Sequence, residues 1–218
     1  MTLLNEEQRE IVKNYFDKEM KDNIKIILFT QKINCEYCPD TEMILKEVSE
    51  LSDKITLEIK NFLSDEEDVK EYGIERVPAI VFLKGNGEDT GIRFYGIPSG
   101  YEFTSLIETI VMVSKSDSGL SENVKEKLKN IDKEINIKVF VTPSCPYCPR
   151  MVILANKVAF ENKNIKTNII EVIEFPELGE KYNVFGVPKT VINENIEFEG
   201  AVPEGYFIEN LEKATKGG

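Results

Sequence analysis

The cysteines of this chain are the residues whose type and spacing could do chemistry. They form two CxxC pairs, Cys35 with Cys38 in INCEYCPD and Cys145 with Cys148 in PSCPYCPR. Two thiols at this spacing can exchange a disulfide with a substrate, close a structural disulfide, or supply half of a four-cysteine zinc site. The rest of the sequence has to distinguish among these three chemistries.

The composition removes several other kinds of chemistry. The 218-residue chain has no histidine, so it lacks the usual general base, the commonest metal ligand and any Ser-His or Cys-His arrangement. Proton transfer is therefore expected from a carboxylate, a lysine, a thiol or water. A formal net charge of -12 argues against nucleic acid as a partner, because nucleic-acid binding depends on a basic face.

The hydropathy pattern predicts a protein that neither crosses a membrane nor enters the secretory pathway. No apolar stretch approaches the roughly 20 residues that a membrane-spanning helix needs. Acidic and basic residues interrupt residues 1–25 throughout, so this segment lacks the apolar core of a secretory signal. We expect a soluble protein of the cytoplasm, where ordinary structural disulfides are reduced.

The two cysteine pairs belong to an internal repeat. Positions 35 and 145 are 110 residues apart, as are positions 38 and 148. Further along, KEYGIERVPAIVF at 70–82 aligns with EKYNVFGVPKTVI at 180–192 at the same interval. The chain is therefore interpreted as two copies of one unit of about 100 residues. Because Ser, Asp and Gly cluster at 114–123, we predict domains of residues 1–117 and 118–218.

Each copy has the same order of predicted elements. In the second copy a strand at 137–141 precedes the cysteines, a helix covers 149–162 and a strand follows at 165–173, which predicts a right-handed βαβ unit with parallel strands. A short helix, two short strands and a closing helix complete the order β-α-β-α-β-β-α. We expect an α/β fold with mixed sheets and flanking helices. Helices at 6–20 and 123–133 precede the two copies.

This order, with CxxC after the first strand and a Val-Pro dipeptide opening a later strand, resembles the thioredoxin and glutaredoxin superfamily. CPYC is the glutaredoxin form of the motif. Two such units, each with its own CxxC, resemble the glutaredoxin-like protein disulfide oxidoreductases of thermophilic archaea and bacteria, over nearly the whole chain. The resemblance implies a fused sheet of two thioredoxin-like units and thiol-disulfide exchange with protein substrates.

The resemblance also implies what the protein works with. Redox-active disulfides would be its only prosthetic chemistry, with no other cofactor and no metal. Its partners would be disulfide-containing proteins, a peroxiredoxin among them, and an NADPH-dependent thioredoxin reductase-like flavoprotein that supplies electrons. Neither nucleic acid nor a membrane is expected as a partner. The direction of exchange depends on the redox poise of the cell, which the sequence does not encode.

The cysteines are the predicted catalytic residues. Cys35 and Cys145 are expected to be nucleophiles at helix starts, where backbone N–H groups and the helix dipole favour the thiolate. Cys38 and Cys148, three residues on, would close a disulfide with them and release the substrate. Exchange would therefore proceed through a mixed disulfide between protein and substrate.

Two Val-Pro dipeptides are carried over from the family as predicted substrate-binding residues. Val77-Pro78 and Val187-Pro188 match the family's proline, which follows a cis bond beside the cysteines and leaves the preceding residue free to pair with substrate backbone. A cis X-Pro bond costs only about 0.5–1 kcal/mol relative to trans, so it is plausible at both places. The sequence leaves the isomer open.

One difference between the motifs predicts that the two sites are not equivalent. Glu36 follows Cys35, whereas Pro146 follows Cys145. A nearby negative charge disfavours a thiolate. We therefore predict that the Cys35/Cys38 pair has the higher thiol pKa and the more reducing potential, with Glu36 and Pro146 as the tuning residues.

The group that receives the proton of the second cysteine is not evident. Thioredoxins have a buried aspartate on the strand before CxxC, but ILFTQ and KVFVT carry no acid. The candidates on the following strands are Glu58, Lys60, Glu171 and Glu174, although each also fits a solvated strand residue.

Three alternatives stay open at this point. All four cysteines could bind zinc or another soft metal, within one chain or between two. The pairs could be structural disulfides, or the units could form a redox-inactive docking or chaperone module. Apolar surface around the cysteines, with Ile33, Val77, Pro143 and Val187 as candidates, would suit unfolded substrates in either of the protein-binding roles.

Overall fold

The computed structural model describes residues 3–216 as two consecutive α/β units. The first unit comprises α1 (Glu6–Glu19), β1 (Ile24–Thr30), α2 (Cys38–Ser49), β2 (Ile55–Asn61), α3 (Glu66–Glu71), β3 (Ala79–Lys84), β4 (Asp89–Tyr95) and α4 (Glu102–Lys115). The second comprises α5 (Glu122–Lys129), β5 (Ile135–Val141), α6 (Cys148–Glu161), β6 (Ile165–Glu171), α7 (Pro176–Lys181), β7 (Lys189–Ile192), β8 (Ile196–Glu199) and α8 (Glu204–Lys216). The predicted α/β class and element order are confirmed in both units.

The described strands form one mixed sheet, in the order β2-β1-β3-β4-β6-β5-β7-β8. The units join where β4 pairs in parallel with β6, through residues 92–95 and 167–170. Gly91 lies at this junction with φ at +74°, and a Cβ on it would lie 2.7 Å from the carbonyl oxygen of Ile165. A larger residue would force the strands apart, so glycine is required where the two units meet.

The alternation of side chains along β1 divides the core between two faces of the sheet. Ile26 and Leu28 are buried on the face that carries α1, α2, α4 and α6, whereas Ile27 and Phe29 are buried on the face that carries α3 and α7. The helices that begin at the second cysteines therefore share one face. Within residues 3–216, no helix has both the length and the apolar character that a membrane crossing requires.

The two CxxC motifs lie at the same edge of the sheet. β1 and β4 are both antiparallel to β3, and β4, β6 and β5 are parallel, so β1 and β5 point the same way. Four strand spacings separate them, which is roughly 19 Å. Ligands of one zinc ion need sulfur atoms within about 4 Å of each other. The sheet therefore rules out the alternative of a four-cysteine metal site within one chain.

The helices after the motifs begin slightly later relative to the cysteines than predicted. α2 begins at Cys38 and α6 at Cys148, each with proline as its next residue. Proline is tolerated there because the missing N–H would have no partner in the first turn. Cys35 and Cys145 therefore lie one turn before the helices, and the unpaired N–H groups of each first turn face the loop that carries them.

The helix α5 ends earlier than its sequence pattern predicts. A helix is expected over 123–133, whereas α5 ends at Lys129. The side-chain amide of Asn162 donates hydrogen bonds to the carbonyl oxygens of Leu128 (2.6 Å) and Ile131 (2.8 Å). These carbonyls are thereby satisfied outside the helix, so the chain leaves the helix there. The predicted boundary between the units stays a prediction.

Candidate active sites

The first cysteine pair lies in a cleft between the two units. Cys35 and Cys38 are joined in a disulfide, with Cys38 buried and Cys35 partly exposed. Cys35 lines a cavity of about 1020 Å³. The first unit contributes the loop after β1, Phe62 and the Arg76-Val77 segment to its walls, and the second unit contributes residues 173–176. The second unit therefore forms part of the first site.

The second cysteine pair consists of two buried thiols. The Sγ atom of Cys145 lies 3.5 Å from the carbonyl oxygen of Val187, to which it donates a hydrogen bond. Burial raises the pKa of the Cys148 thiol well above its usual range, and the hydrogen bond with Cys145 raises it further. Cys148 therefore holds its proton firmly until a neighbouring group removes it.

Each Val-Pro dipeptide lies beside its own cysteines. The Val77-Pro78 and Val187-Pro188 bonds are both cis. Val77 lines the same cavity as Cys35, and Val187 accepts the hydrogen bond from Cys145. The structure thus brings together the cysteine and Val-Pro residues that the sequence predicts for each site, and the role of the dipeptides in substrate binding stays a prediction.

A buried carboxylate that the sequence analysis missed lies near the second pair. Glu102 is fully buried at the start of α4 in the first unit, and its negative charge helps to raise the pKa of Cys148 in the second. Within the described part of the chain, neither of its carboxylate oxygens has a well-formed hydrogen bond. Burial raises its pKa from 4.5 to about 7. A glutamate at a helix start gave no signal, because acids are common there.

The candidate proton acceptors from the sequence lie elsewhere. Glu58 forms ion pairs with Lys25 and Lys60 on the sheet surface, so it is occupied away from the cysteines. Glu171 accepts the backbone N–H groups of residues 173 and 174 and closes the turn after β6. Glu174 lines the cavity of Cys35, and burial raises its pKa to about 7. Of these candidates, Glu174 is the one that shares a cavity with a cysteine.

The contact that positions Glu102 depends on a glycine. Tyr101 donates its backbone N–H to the carbonyl oxygen of Pro143, two residues before Cys145, at 2.9 Å. Gly100 has φ at +58°, and a Cβ on it would lie 2.3 Å from the same oxygen. The start of α4 therefore packs directly on the loop of the second site.

Replacing Gly100 by alanine is expected to lower the free energy of unfolding by roughly 2–3 kcal/mol, because alanine adds left-handed strain and a collision with backbone. Gly73→Ala is the matched control. Gly73 has φ at +64° with nothing within 4 Å of its would-be Cβ, so only the strain of about 1 kcal/mol is expected. Urea denaturation measures both. Equal losses in the two variants would contradict the close contact with Pro143.

Replacing Glu36 by proline is expected to raise the reduction potential of the Cys35/Cys38 pair by about 10–30 mV. The exposed carboxylate lines the same cavity as Cys35, and its removal favours the thiolate and hence the reduced form. Solvent screening keeps the effect modest. Redox titration of both pairs measures it, with Cys145/Cys148 as the internal control. An unchanged Cys35/Cys38 potential would remove Glu36 as the tuning residue.

Comparison with known proteins places this geometry among related chains. A family model described as a thioredoxin domain matches residues 22–108 and again residues 135–213. The crystal structure of a protein disulfide oxidoreductase from Aeropyrum pernix is 32% identical, with a TM-score of 0.93, over 100% of this chain and 96% of that chain.

Two further relatives carry the name alkyl hydroperoxide reductase. The NTD_N/C domain of AhpF from Enterococcus faecalis is 27% identical with a TM-score of 0.89, over 95% of this chain and 99% of that chain. The AhpF-type component of the alkyl hydroperoxide reductase of Staphylococcus aureus is 28% identical over 184 residues, which cover 80% of this chain and 33% of the relative. The chain thus spans about a third of the length of the curated relatives it matches.

Proposed function

The chain belongs to the thioredoxin-domain family in both of its units, and on this premise we propose that it is a dithiol-disulfide oxidoreductase acting on protein substrates. The observation that carries the proposal is the second site. There the Cys145 thiol lies against the carbonyl oxygen of Val187, with the Cys148 thiol at the start of the adjoining helix. The resemblance recognised from the motifs is confirmed by the family match over both units. Cys35 and Cys38 repeat the arrangement.

The reaction at the second site proceeds in two exchanges. The Cys145 thiolate attacks one sulfur of a substrate disulfide, forms a mixed disulfide and releases the other substrate sulfur as a thiolate. Cys148 then loses its proton, attacks the Cys145 sulfur and releases the second substrate thiolate. Two electrons pass from the cysteine pair to the substrate, whose thiolates take up the two protons. The disulfide at Cys35 and Cys38 runs the same exchange in reverse with a substrate dithiol.

Glu102 is proposed to take the proton of Cys148 during the second exchange. Its carboxylate is close enough to influence that thiol electrostatically. With a pKa of about 7, it is partly ionised at neutral pH and can accept a proton. At the first site, Glu174 is the corresponding candidate, since it lines the cavity of Cys35 with a pKa raised to about 7. Each acid comes from the unit opposite its cysteines.

The proposal extends to partners and location. Disulfide-containing proteins are the substrates, a peroxiredoxin is one of them, and an NADPH-dependent thioredoxin reductase-like flavoprotein supplies electrons in the cytoplasm. The names of the relatives, alkyl hydroperoxide reductase and NADH dehydrogenase, support partners of this redox class. The exchange itself requires no cofactor beyond the two cysteine pairs. The proposed domains are residues 1–117 and 118–218.

A redox titration with site-resolved detection tests the proposed function. Metal-analysed protein is equilibrated in dithiothreitol redox buffers and alkylated, and mass spectrometry reads the two cysteine pairs separately. We expect two reversible two-electron transitions at different potentials. Stoichiometric metal with thiols that never oxidise would identify a metal-binding protein instead. Unchanged activity after replacement of all four cysteines by serine would identify a redox-inactive docking module.

A further inference from the structure

The loop before Pro188 presents one aromatic ring to solvent. The Phe185 side chain is 90% exposed. Its backbone is held in place, because the N–H of Val184 donates to Gly179 (2.8 Å) and the Lys189 ammonium donates to the carbonyl oxygen of Asn183 (3.2 Å). A fixed backbone with an unpacked phenylalanine ring is a ready contact for another molecule, since covering the ring removes apolar surface from water.

This ring is close to the reacting sulfur. Phe185 lies two residues before Val187, whose carbonyl oxygen is 3.5 Å from the Cys145 sulfur. Tyr147, two residues after Cys145, is 64% exposed and adds a second ring. A substrate held on Cys145 as a mixed disulfide must pass this surface. The occupant of the surface is therefore the segment of the substrate that flanks its reacting cysteine.

The surroundings of these rings are uncharged. Residues 142–149 and 182–188 contain no acidic or basic side chain. The nearest carboxylate is that of Glu199, 3.6 Å from the position that a Cβ on Gly186 would take. An acidic substrate side chain would gain no cationic partner here and would meet Glu199 on a chain of net charge -12. An apolar side chain, in contrast, gains contact with the rings.

The same loop at the first site is charged. Glu75 and Arg76 stand 110 positions before Phe185 and Gly186. The Arg76 guanidinium is 3.5 Å from the Glu75 carboxylate, and it lies over the rings of Tyr95 and Phe175 at 5.8 and 5.7 Å. The rim of the first cavity is therefore covered by an arginine, where the second site exposes a phenylalanine.

We infer that Phe185, assisted by Tyr147, is an apolar anchor through which the Cys145 site selects protein substrates with an apolar side chain next to the reacting cysteine. The Cys35 site lacks this anchor and does not share the preference. The two sites of one chain thus take different classes of substrate. This inference rests on the proposed function, because it assigns a preference to that same exchange.

Two matched peptide disulfides test the preference. They differ only in having leucine or glutamate next to the reacting cysteine. Full-length protein with Cys35→Ser and Cys38→Ser reports the second site alone. We expect kcat/KM to favour the leucine peptide roughly tenfold, which corresponds to about 1.4 kcal/mol. The ratio should fall to about one in Phe185→Glu. A ratio of one in the parent protein, or a ratio that Phe185→Glu leaves unchanged, would overturn the inference.

The first site provides the reciprocal test. In full-length protein with Cys145→Ser and Cys148→Ser, the leucine preference should be absent, and Glu75→Phe should create a preference of severalfold. A first site that already prefers leucine as strongly as the second, or one that Glu75→Phe leaves indifferent, would count against the inference. The disulfide of 2-mercaptoethanol, which has no flanking residue, separates the two levels of the argument. Failure of either site to exchange with it would be a failure of the proposed function.

Discussion

Replacing Cys148 by serine is expected to leave substrate trapped on Cys145 as a mixed disulfide. Cys145 can still attack, but the thiol that resolves the intermediate is gone, so turnover at this site should fall by about a thousandfold or more. The experiment uses full-length protein with Cys35→Ser and Cys38→Ser, so that one site remains. Mass spectrometry under non-reducing conditions should detect a one-to-one adduct that dithiothreitol releases.

Cys145→Ser is the matched control for this trap. That variant loses the nucleophile and should give no adduct. An adduct of equal yield on Cys148 in the Cys145→Ser protein would show that either thiol attacks substrate. It would contradict the assignment drawn from the burial of Cys148 and its raised pKa.

Replacing Glu102 by glutamine is expected to slow release of the mixed disulfide by roughly a hundredfold at pH 7, because the group that accepts the Cys148 proton is lost. In the parent protein the rate of this step should rise as the pH passes through about 7, where Glu102 ionises. In the variant the rise should move to alkaline pH, where Cys148 loses its proton unaided. Stopped-flow measurement of the second exchange from pH 5 to 9 records both profiles.

Glu108→Gln is the control for this change of charge. Glu108 lies on the same helix, but its carboxylate accepts the hydroxyl of Tyr15 at 2.9 Å. Its replacement should leave the pH profile of the exchange in place. An unshifted profile in Glu102→Gln would mean that the proton of Cys148 goes elsewhere.

The same substitution should also change how stability depends on pH. The pKa of Glu102 is higher in the folded protein than in the unfolded chain, so its contribution to stability is full below about pH 4.5 and is lost as the pH rises through 7. Glu102→Gln removes this dependence. Relative to the parent, the variant should therefore gain up to about 3 kcal/mol of unfolding free energy between pH 4 and pH 8. Urea denaturation at the two pH values measures the gain separately from the kinetics.

The helices and strands of each unit could be predicted from the sequence because their signals are local. Alternating apolar residues such as Ile27 and Phe29 identify a strand, and proline after each CxxC indicates a helix start. Helix ends were less predictable. The early end of α5 depends on the side chain of Asn162, some thirty residues away in the chain.

The residues that complete the sites could not be predicted in the same way. Nothing near Cys148 in the chain indicates that Glu102 lies beside it. Likewise, nothing near Cys35 indicates that residues 173–176 form a wall of its cavity. Both depend on β4 pairing with β6, which lays the ends of the first unit's strands next to those of the second.

The sequence by itself therefore determined the two CxxC pairs, the Val-Pro dipeptides and the duplication, because each is a short motif repeated at one interval. Only the tertiary structure decided that the sites share an edge of one sheet and that each has an acid from the opposite unit. The physical reason is that a carboxylate changes a distant thiol only through proximity in a region of low polarity. That proximity is set by the packing of elements far apart in the chain.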